Sequence, residues 1–236
     1  MSTLLGIVGF SSSGKSTSLR NMPHEETFII SPSKGDLPIP GFKTKYKLSK
    51  NGAKEGNFHM TNKLAAIPKI IGAIDKLRPE IKYVVIEDFT HYFNTVTLST
   101  KFREDPDGWG RWEGFGAQVF QAIFDKIKYR EDLMLIIMFH PEQQMTPAGP
   151  ELKILSPGTL LERAVQIPSY FTNLLYTKVI PVDRTDPQPP GERYKFVTND
   201  DGYHKAKTVM GAFDDLYIEN DLYKVIKRLN ELSQEG

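Results

Sequence analysis

The eight residues Gly9-Phe10-Ser11-Ser12-Ser13-Gly14-Lys15-Ser16 constrain this chain more than any other stretch. They satisfy G-x-x-x-x-G-K-[S/T] without a mismatch, directly after the apolar run Leu4–Val8 and before the polar, helix-compatible Thr17–Asn21. The pattern requires a strand, a tight loop and a helix in that order. Gly9 and Gly14 permit backbone angles and close approaches that a Cβ would block. The loop N–H groups and the start of the helix then cradle phosphate. Lys15 brings a compact positive charge to the β- and γ-phosphates, and the Ser16 hydroxyl can ligate Mg²⁺. The nucleotide-binding set is therefore Gly9, Phe10, Ser11, Ser12, Ser13, Gly14, Lys15, Ser16 and Thr17, and it implies ATP and Mg²⁺.

The rest of the chain fits such a loop. Leu4–Val8, Phe28–Ile30, Tyr83–Ile86 and Leu133–Phe139 are apolar runs, and a fifth strand candidate, Leu174–Val182, is rich in Tyr, Thr and Val. Runs without alternation suit strands buried on both faces of a parallel sheet. Ile67, Ile70, Ile71, Ile74 and Leu77 recur at helical spacing, as do Trp112, Phe115, Val119, Ile123 and Ile127. A third stripe, Leu222 to Leu232, belongs to a C-terminal helix over residues 220–233, with Asn220 as its cap. The expectation is one α/β domain over residues 1–236, a mostly parallel sheet between helices. Residues 31–57 form a basic loop insertion and residues 183–193 a proline-rich connection.

Composition removes several function classes. Lys and Arg total 30 against 29 Asp and Glu, so no global field draws nucleic acid and any such contact needs a local cluster. With no cysteine there is no disulfide framework, zinc–cysteine site or thiol chemistry. No stretch approaches the roughly 20 apolar residues of a membrane span, and the N-terminus lacks a signal peptide's basic start. A cytoplasmic protein that does not engage membranes is expected.

Tyr83-Val84-Val85-Ile86-Glu87-Asp88 is an apolar strand ending in two carboxylates, the shape that delivers acid to a Mg²⁺ shell. The usual order is Asp then Glu; here Glu87 takes the metal-orienting role and Asp88 the orientation of the attacking water. The alternative for Asp88 is capping of the following helix. His140 ends the Leu133–Phe139 strand, where a polar residue can sense the γ-phosphate; a structural histidine is the alternative. The catalytic set is thus Lys15, Glu87, Asp88 and His140. Within the basic loop, Lys34, Lys43, Lys45, Lys47, Lys50 and Lys54 face only Asp36 up to Lys54, and Phe42 and Tyr46 interleave with them. Lys43, Lys45, Tyr46 and Lys47 could meet single-stranded DNA through phosphates and base stacking. Otherwise the two aromatics anchor a solvated loop to the core.

In these segments the chain resembles the RecA-like P-loop ATPases of tailed bacteriophages, the group that contains the fourth Sak class of single-strand annealing proteins. The resemblance rests on the ordered set of the phosphate loop, Glu26–Ile30, Leu37-Pro38, Gly41–Lys43, Val85–Thr90, Phe139–Glu142, Leu174–Thr177, Phe196–Gly202, Ala206-Lys207, Met210-Gly211 and Tyr217–Leu222. It implies a RecA-like core and a homo-oligomeric ATPase of phage recombination. Such a protein works in the infected bacterial cytoplasm on single-stranded DNA, alongside a single-strand-binding protein. It also implies that Lys205 and Lys207 reach a neighbouring subunit's ATP, although two solvated lysines would look the same. Many RecA-like proteins carry a catalytic Glu after the second strand, but Ser31-Pro32-Ser33 stands there, which implies slow hydrolysis or reliance on Asp88. A P-loop kinase and a nucleotide-dependent interaction module with little turnover are the competing readings. A kinase lid rich in arginine is not evident.

Overall fold

The computed structural model describes residues 4–33, 35–50, 52–124, 129–181 and 192–234. Lys34, Ile127 and most of the expected proline-rich connection at 183–193 lie outside the described residues. The strands are β1 (Leu4–Val8), β2 (Thr27–Ser31), β3 (Phe58–Met60), β4 (Tyr83–Ile86), β5 (Met134–Phe139), β6 (Pro141–Thr146), β7 (Gly149–Ile154), β8 (Asn173–Val179), β9 (Tyr194–Val197) and β10 (Tyr217–Glu219). Eight of them form one sheet in the order β10-β9-β8-β1-β5-β4-β2-β3, and β6 and β7 make a separate hairpin. Every pairing from β8 across to β3 is parallel. β9 and β10 add on antiparallel. The helices are α1 (Phe42–Lys45), α2 (Ile67–Leu77), α3 (Phe89–Thr97), α4 (Thr100–Arg103), α5 (Gly110–Val119), α6 (Thr159–Ala164) and α7 (Leu222–Gln234).

The expected α/β architecture, a mostly parallel sheet between helices, is what the chain forms. Successive side chains of a strand point to opposite faces, and here both faces are covered. Along β5, Leu135, Ile137 and Phe139 join the core beneath α2, α3 and α5. Their neighbours Met134, Ile136 and Met138 join the core beneath α7 and α1. β1 divides the same way, Leu4 and Val8 against Leu5 and Ile7. Each such side chain, fully buried, contributes on the order of 2 kcal/mol of transfer free energy. Among the described residues no helix is long and apolar enough to cross a membrane.

Several local expectations are corrected. The segment after the glycine-rich loop is only a six-residue 3₁₀ helix, Ser16–Asn21. Ser18 Oγ bonds back to the Lys15 carbonyl at 2.5 Å, and such hydroxyl-to-backbone bonds compete with α-helical geometry. Leu77, the last residue of the α2 stripe, is 51% exposed. The 31–57 segment is not all loop, because Leu37, Ile39, Phe42 and Tyr46 are buried beneath the sheet and fold it into α1 and short bridges.

Asn220 does not cap α7. Asp221 does: its Oδ1 accepts from the N–H groups of Tyr223 (3.1 Å) and Lys224 (3.3 Å). Its Oδ2 accepts from Asn21 Nδ2 at 2.6 Å, tying α7 to the 3₁₀ helix. Asp221 is buried, so removing it strands several donors at once. Asp221→Ala is expected to lower stability by about 1–3 kcal/mol. Urea unfolding should show this as a lower midpoint at unchanged slope.

Candidate functional site

Parallel pairing sets the site. β5 lies between β1 and β4, with Val8 opposite Phe139 and Ile86 opposite Ile137. Gly9, Glu87 and His140 therefore emerge together at the carboxyl edge of the sheet, where open α/β folds bind ligands. Gly9 N–H donates to the Phe139 carbonyl at 3.1 Å, which sews the loop to β5. A Cβ on Gly9 would sit 1.8 Å from Thr177 Oγ1 and 2.6 Å from Ser13 Oγ. Those two hydroxyls are 2.5 Å apart and clamp the base of the loop to β8. Gly14, at φ +97°, uses a conformation that disfavours any side chain. Among the described residues, the N–H groups of Ser11, Ser12, Gly14 and Lys15 donate to no backbone carbonyl.

Lys15 folds over this loop. Its Nζ donates to the carbonyls of Gly9 (2.5 Å) and Phe10 (2.9 Å). Burial pulls its pKa down to about 8, against the pull of Asp88 and Glu87. Beside it Ser16 Oγ donates to Glu87 Oε1 at 3.0 Å, and Ser31 Oγ lies 3.4 Å from Glu87 Oε2. Burial raises the Glu87 pKa, with the Asp88 charge adding to it against the hydroxyls and Lys15.

Asp88 occupies the N-cap position of α3 at φ 49°, ψ 53°, but its side chain makes no capping hydrogen bond. Its Oδ1 instead lies 3.2 Å from His140 Nε2. The His140 main chain is fixed by its backbone N–H, which donates to the buried Thr90 hydroxyl at 2.8 Å. Burial would raise the Asp88 pKa, but His140, Lys15 and His91 together hold it below the usual carboxylate range. Two adjacent acids are thus displaced in opposite directions.

These groups line one cavity of about 310 Å³. That is the low end of small-ligand clefts, which run roughly 300–1,000 Å³. Phe10, Ser11, Ser12, Gly14, Lys15, Ser16, Thr17, Glu87, Asp88 and His140 all face it. Gly9 and Ser13 stand behind the loop rather than on the wall. Ser33 and residues 35–38 form the opposite rim, so the start of the 31–57 segment belongs to the cavity and is not remote from it.

A loop with uncommitted N–H groups, glycines where a Cβ would clash and a buried lysine fits a polyphosphate. Ser16 and Glu87, already in contact, fit Mg²⁺. Among the described residues no three His, Asp or Glu gather as a metal cage, and Mg²⁺ favours sites with few protein ligands and the rest from water and phosphate.

Other expected site residues stand apart. Tyr46 is 4% exposed and stacks on Phe42 with ring centroids 5.2 Å apart, so neither ring is available to a base. The anchoring alternative holds there. Lys43 is exposed and paired with Asp36 at 3.1 Å, and Lys47 Nζ donates to the Lys43 carbonyl. Lys45, between them, is half-buried. Lys205 is held within the same chain by Asp200 (3.1 Å) and Glu151 (3.2 Å). Lys207 is exposed, its backbone bridged to Leu174. The sequence reading passed over Ser31, Thr90 and Thr177 as site residues. Ser31 and Thr177 share one signal with Glu87 and His140: a polar residue at or near the carboxyl end of a buried parallel strand.

No protein-family model matches the chain, and no curated protein matches it.

The Gly9–Thr177 contact gives a direct check. Gly9→Ala is expected to destabilise the fold strongly, and Thr177→Ala, by removing the nearest obstructing atom, should restore part of the loss. A double-mutant cycle should report a favourable coupling of about 1 kcal/mol or more.

Proposed function

We propose that this chain binds MgATP in the cavity at the ends of β1, β4 and β5 and hydrolyses it to ADP and phosphate. The observation that carries the reading is the convergence of Lys15, the Ser16–Glu87 contact and the Asp88–His140 pair on one small cavity. Lys15 exchanges its two loop carbonyls for β- and γ-phosphate oxygens and balances their charge. Ser16 and Glu87 hold Mg²⁺, which when bound screens the phosphate charge. Asp88, ionised and fixed by His140, orients a water toward the γ-phosphorus and accepts its proton as the bond to ADP breaks. Ser31 supplies no carboxylate, so Asp88 is the base.

A strand inserted between the loop strand and the acid strand, with a polar residue at its tip, supports a RecA-like core. On that resemblance the protein works as a homo-oligomer on single-stranded DNA in phage recombination. Exposed Lys43 and Lys47 are the surface charges offered to the phosphodiester backbone, without base stacking by Tyr46. Lys43 pairs with Asp36 on the cavity rim, and Lys47 Nζ reaches back to the Lys43 carbonyl.

Phosphate release with and without single-stranded DNA, paired with the mass of the assembly in both states, tests this reading. Lys15→Ala is expected to lower turnover at least a hundredfold in a folded protein, since charge stabilisation of this kind contributes a few kcal/mol. Asp88→Asn should abolish release while nucleotide still binds. Glu87→Gln should chiefly raise the Mg²⁺ requirement. Phosphorylated acceptor in place of free phosphate would replace the hydrolase by a kinase, and unchanged turnover in Lys15→Ala would remove the site.

Binding should also depend on pH. Free Lys15 loses its proton near pH 8, whereas a bound polyphosphate holds that proton on. The complex therefore takes up a proton above pH 8, and affinity falls as pH rises, by at most about tenfold per unit. Lys15→Arg, which stays charged, should flatten the profile even if binding is weaker.

A further inference from the structure

Asn220 is completely buried, yet neither its Oδ1 nor its Nδ2 has a hydrogen-bond partner among the described residues. Leaving a buried amide without partners costs free energy, and folded proteins seldom do it without a reason. The residue sits between β10 and α7, and its side chain lies against the glycine-rich loop. Its Oδ1 is 3.1 Å from the point a Cβ on Gly14 would occupy, and the Tyr194 ring packs against the same point at 2.7 Å.

The backbone around Asn220 is pinned. Its carbonyl accepts from Arg20 Nη1, and Arg20 pairs with Glu219 at 3.0 Å. The next residue, Asp221, caps α7 and holds Asn21. The amide is thus held facing the loop.

On the other side of the contact, the loop is closed upon its own lysine. The Gly14 carbonyl already accepts from Ser18 N–H at 2.9 Å, while the Gly14 N–H donates to no backbone carbonyl. On the proposed reading, phosphate entering the cavity would withdraw Lys15 from those carbonyls and draw the loop N–H groups toward itself. The peptides flanking Gly14 would then turn to follow, which glycine at φ +97° permits.

We propose that Asn220 is a positioning residue that latches the phosphate-filled form of the loop, its amide pairing with the re-oriented main chain at Gly14. The inference rests on the reading that the cavity takes a nucleoside triphosphate. It adds that β10 and α7, which lie outside the cavity, register whether the loop is filled. A side chain unsatisfied while Lys15 is folded onto the loop, and satisfied when phosphate is bound, shifts the equilibrium toward binding.

The test compares the wild type with Asn220→Ala, which removes the amide, and with Asn220→Leu, which keeps the branched skeleton in a bulkier, apolar form. Thermal unfolding without nucleotide and calorimetric titration with MgATP are measured on each. At least one variant is expected to unfold no earlier than wild type without nucleotide, and to bind MgATP about tenfold more weakly. A residue that merely supports the fold would lower both together, and that outcome overturns the latch. Undiminished affinity in a folded variant also overturns it while leaving the nucleotide site intact. Failure of the wild type itself to bind MgATP removes the site and the latch together.

Discussion

The parallel ladder that places β5 between β1 and β4 is the constraint on which everything else depends. Because all three strands run the same way, their carboxyl ends open onto one edge, and each contributes its chemistry there. β1 brings the loop, β4 the two acids and β5 the histidine. β2 and β8, parallel on either side, add Ser31 beneath Glu87 and Thr177 beneath Gly9. An antiparallel β5 would carry His140 to the far edge of the sheet. The site is thus a property of strand direction before it is a property of any side chain.

Within that frame, burial sorts the charges. Glu87 and Asp88 are neighbours in sequence and burial is the largest influence on both, but it prevails at Glu87, whereas at Asp88 His140, Lys15 and His91 together outweigh it. Paired acids whose environments push their pKa values apart are suited to different tasks. On the proposed reading, the side chain that accepts from the Ser16 hydroxyl serves a cation, and the one that faces His140 serves a water. Lys15 feels both acids and still sits well below an ordinary lysine, because it is deeper than either attraction compensates.

The parts of the structure that were legible in the sequence are those set by local pattern. β1, β2, β4, β5 and the Leu174–Tyr176 part of β8 stand out because strands covered on both faces are largely apolar. β3, β9 and β10 are short, and β10 has the burial pattern of an exposed edge strand, so they give no such signal. α3 shows in the sequence only as the helix that Asp88 could cap, because Phe, His, Tyr and Thr are poor helix formers; burial of Phe89, Tyr92 and Phe93 overrides propensity. In the site, the loop, Glu87, Asp88 and His140 were readable from their strand ends. Ser31, Thr90 and Thr177 matter only through inter-strand register, which sequence does not display. Phe42 and Tyr46 looked like a stacking platform because aromatics interleaved with lysines also describe one turn of an amphipathic helix, which is what they form.

The left-handed backbone at residue 88 carries a consequence for how this strand end can change over evolutionary time. Only glycine and the short polar residues Asn and Asp enter that conformation readily; a longer side chain costs on the order of 1 kcal/mol. Aspartate at 88, with glutamate held to 87, therefore suits the turn geometry. Exchanging the two acids would place glutamate where the main chain resists it and withdraw a methylene from the side chain that reaches Ser16. A lineage holding this turn is confined to a narrow path, along which the acid at 88 can be lost to asparagine or glycine far more easily than it can be lengthened.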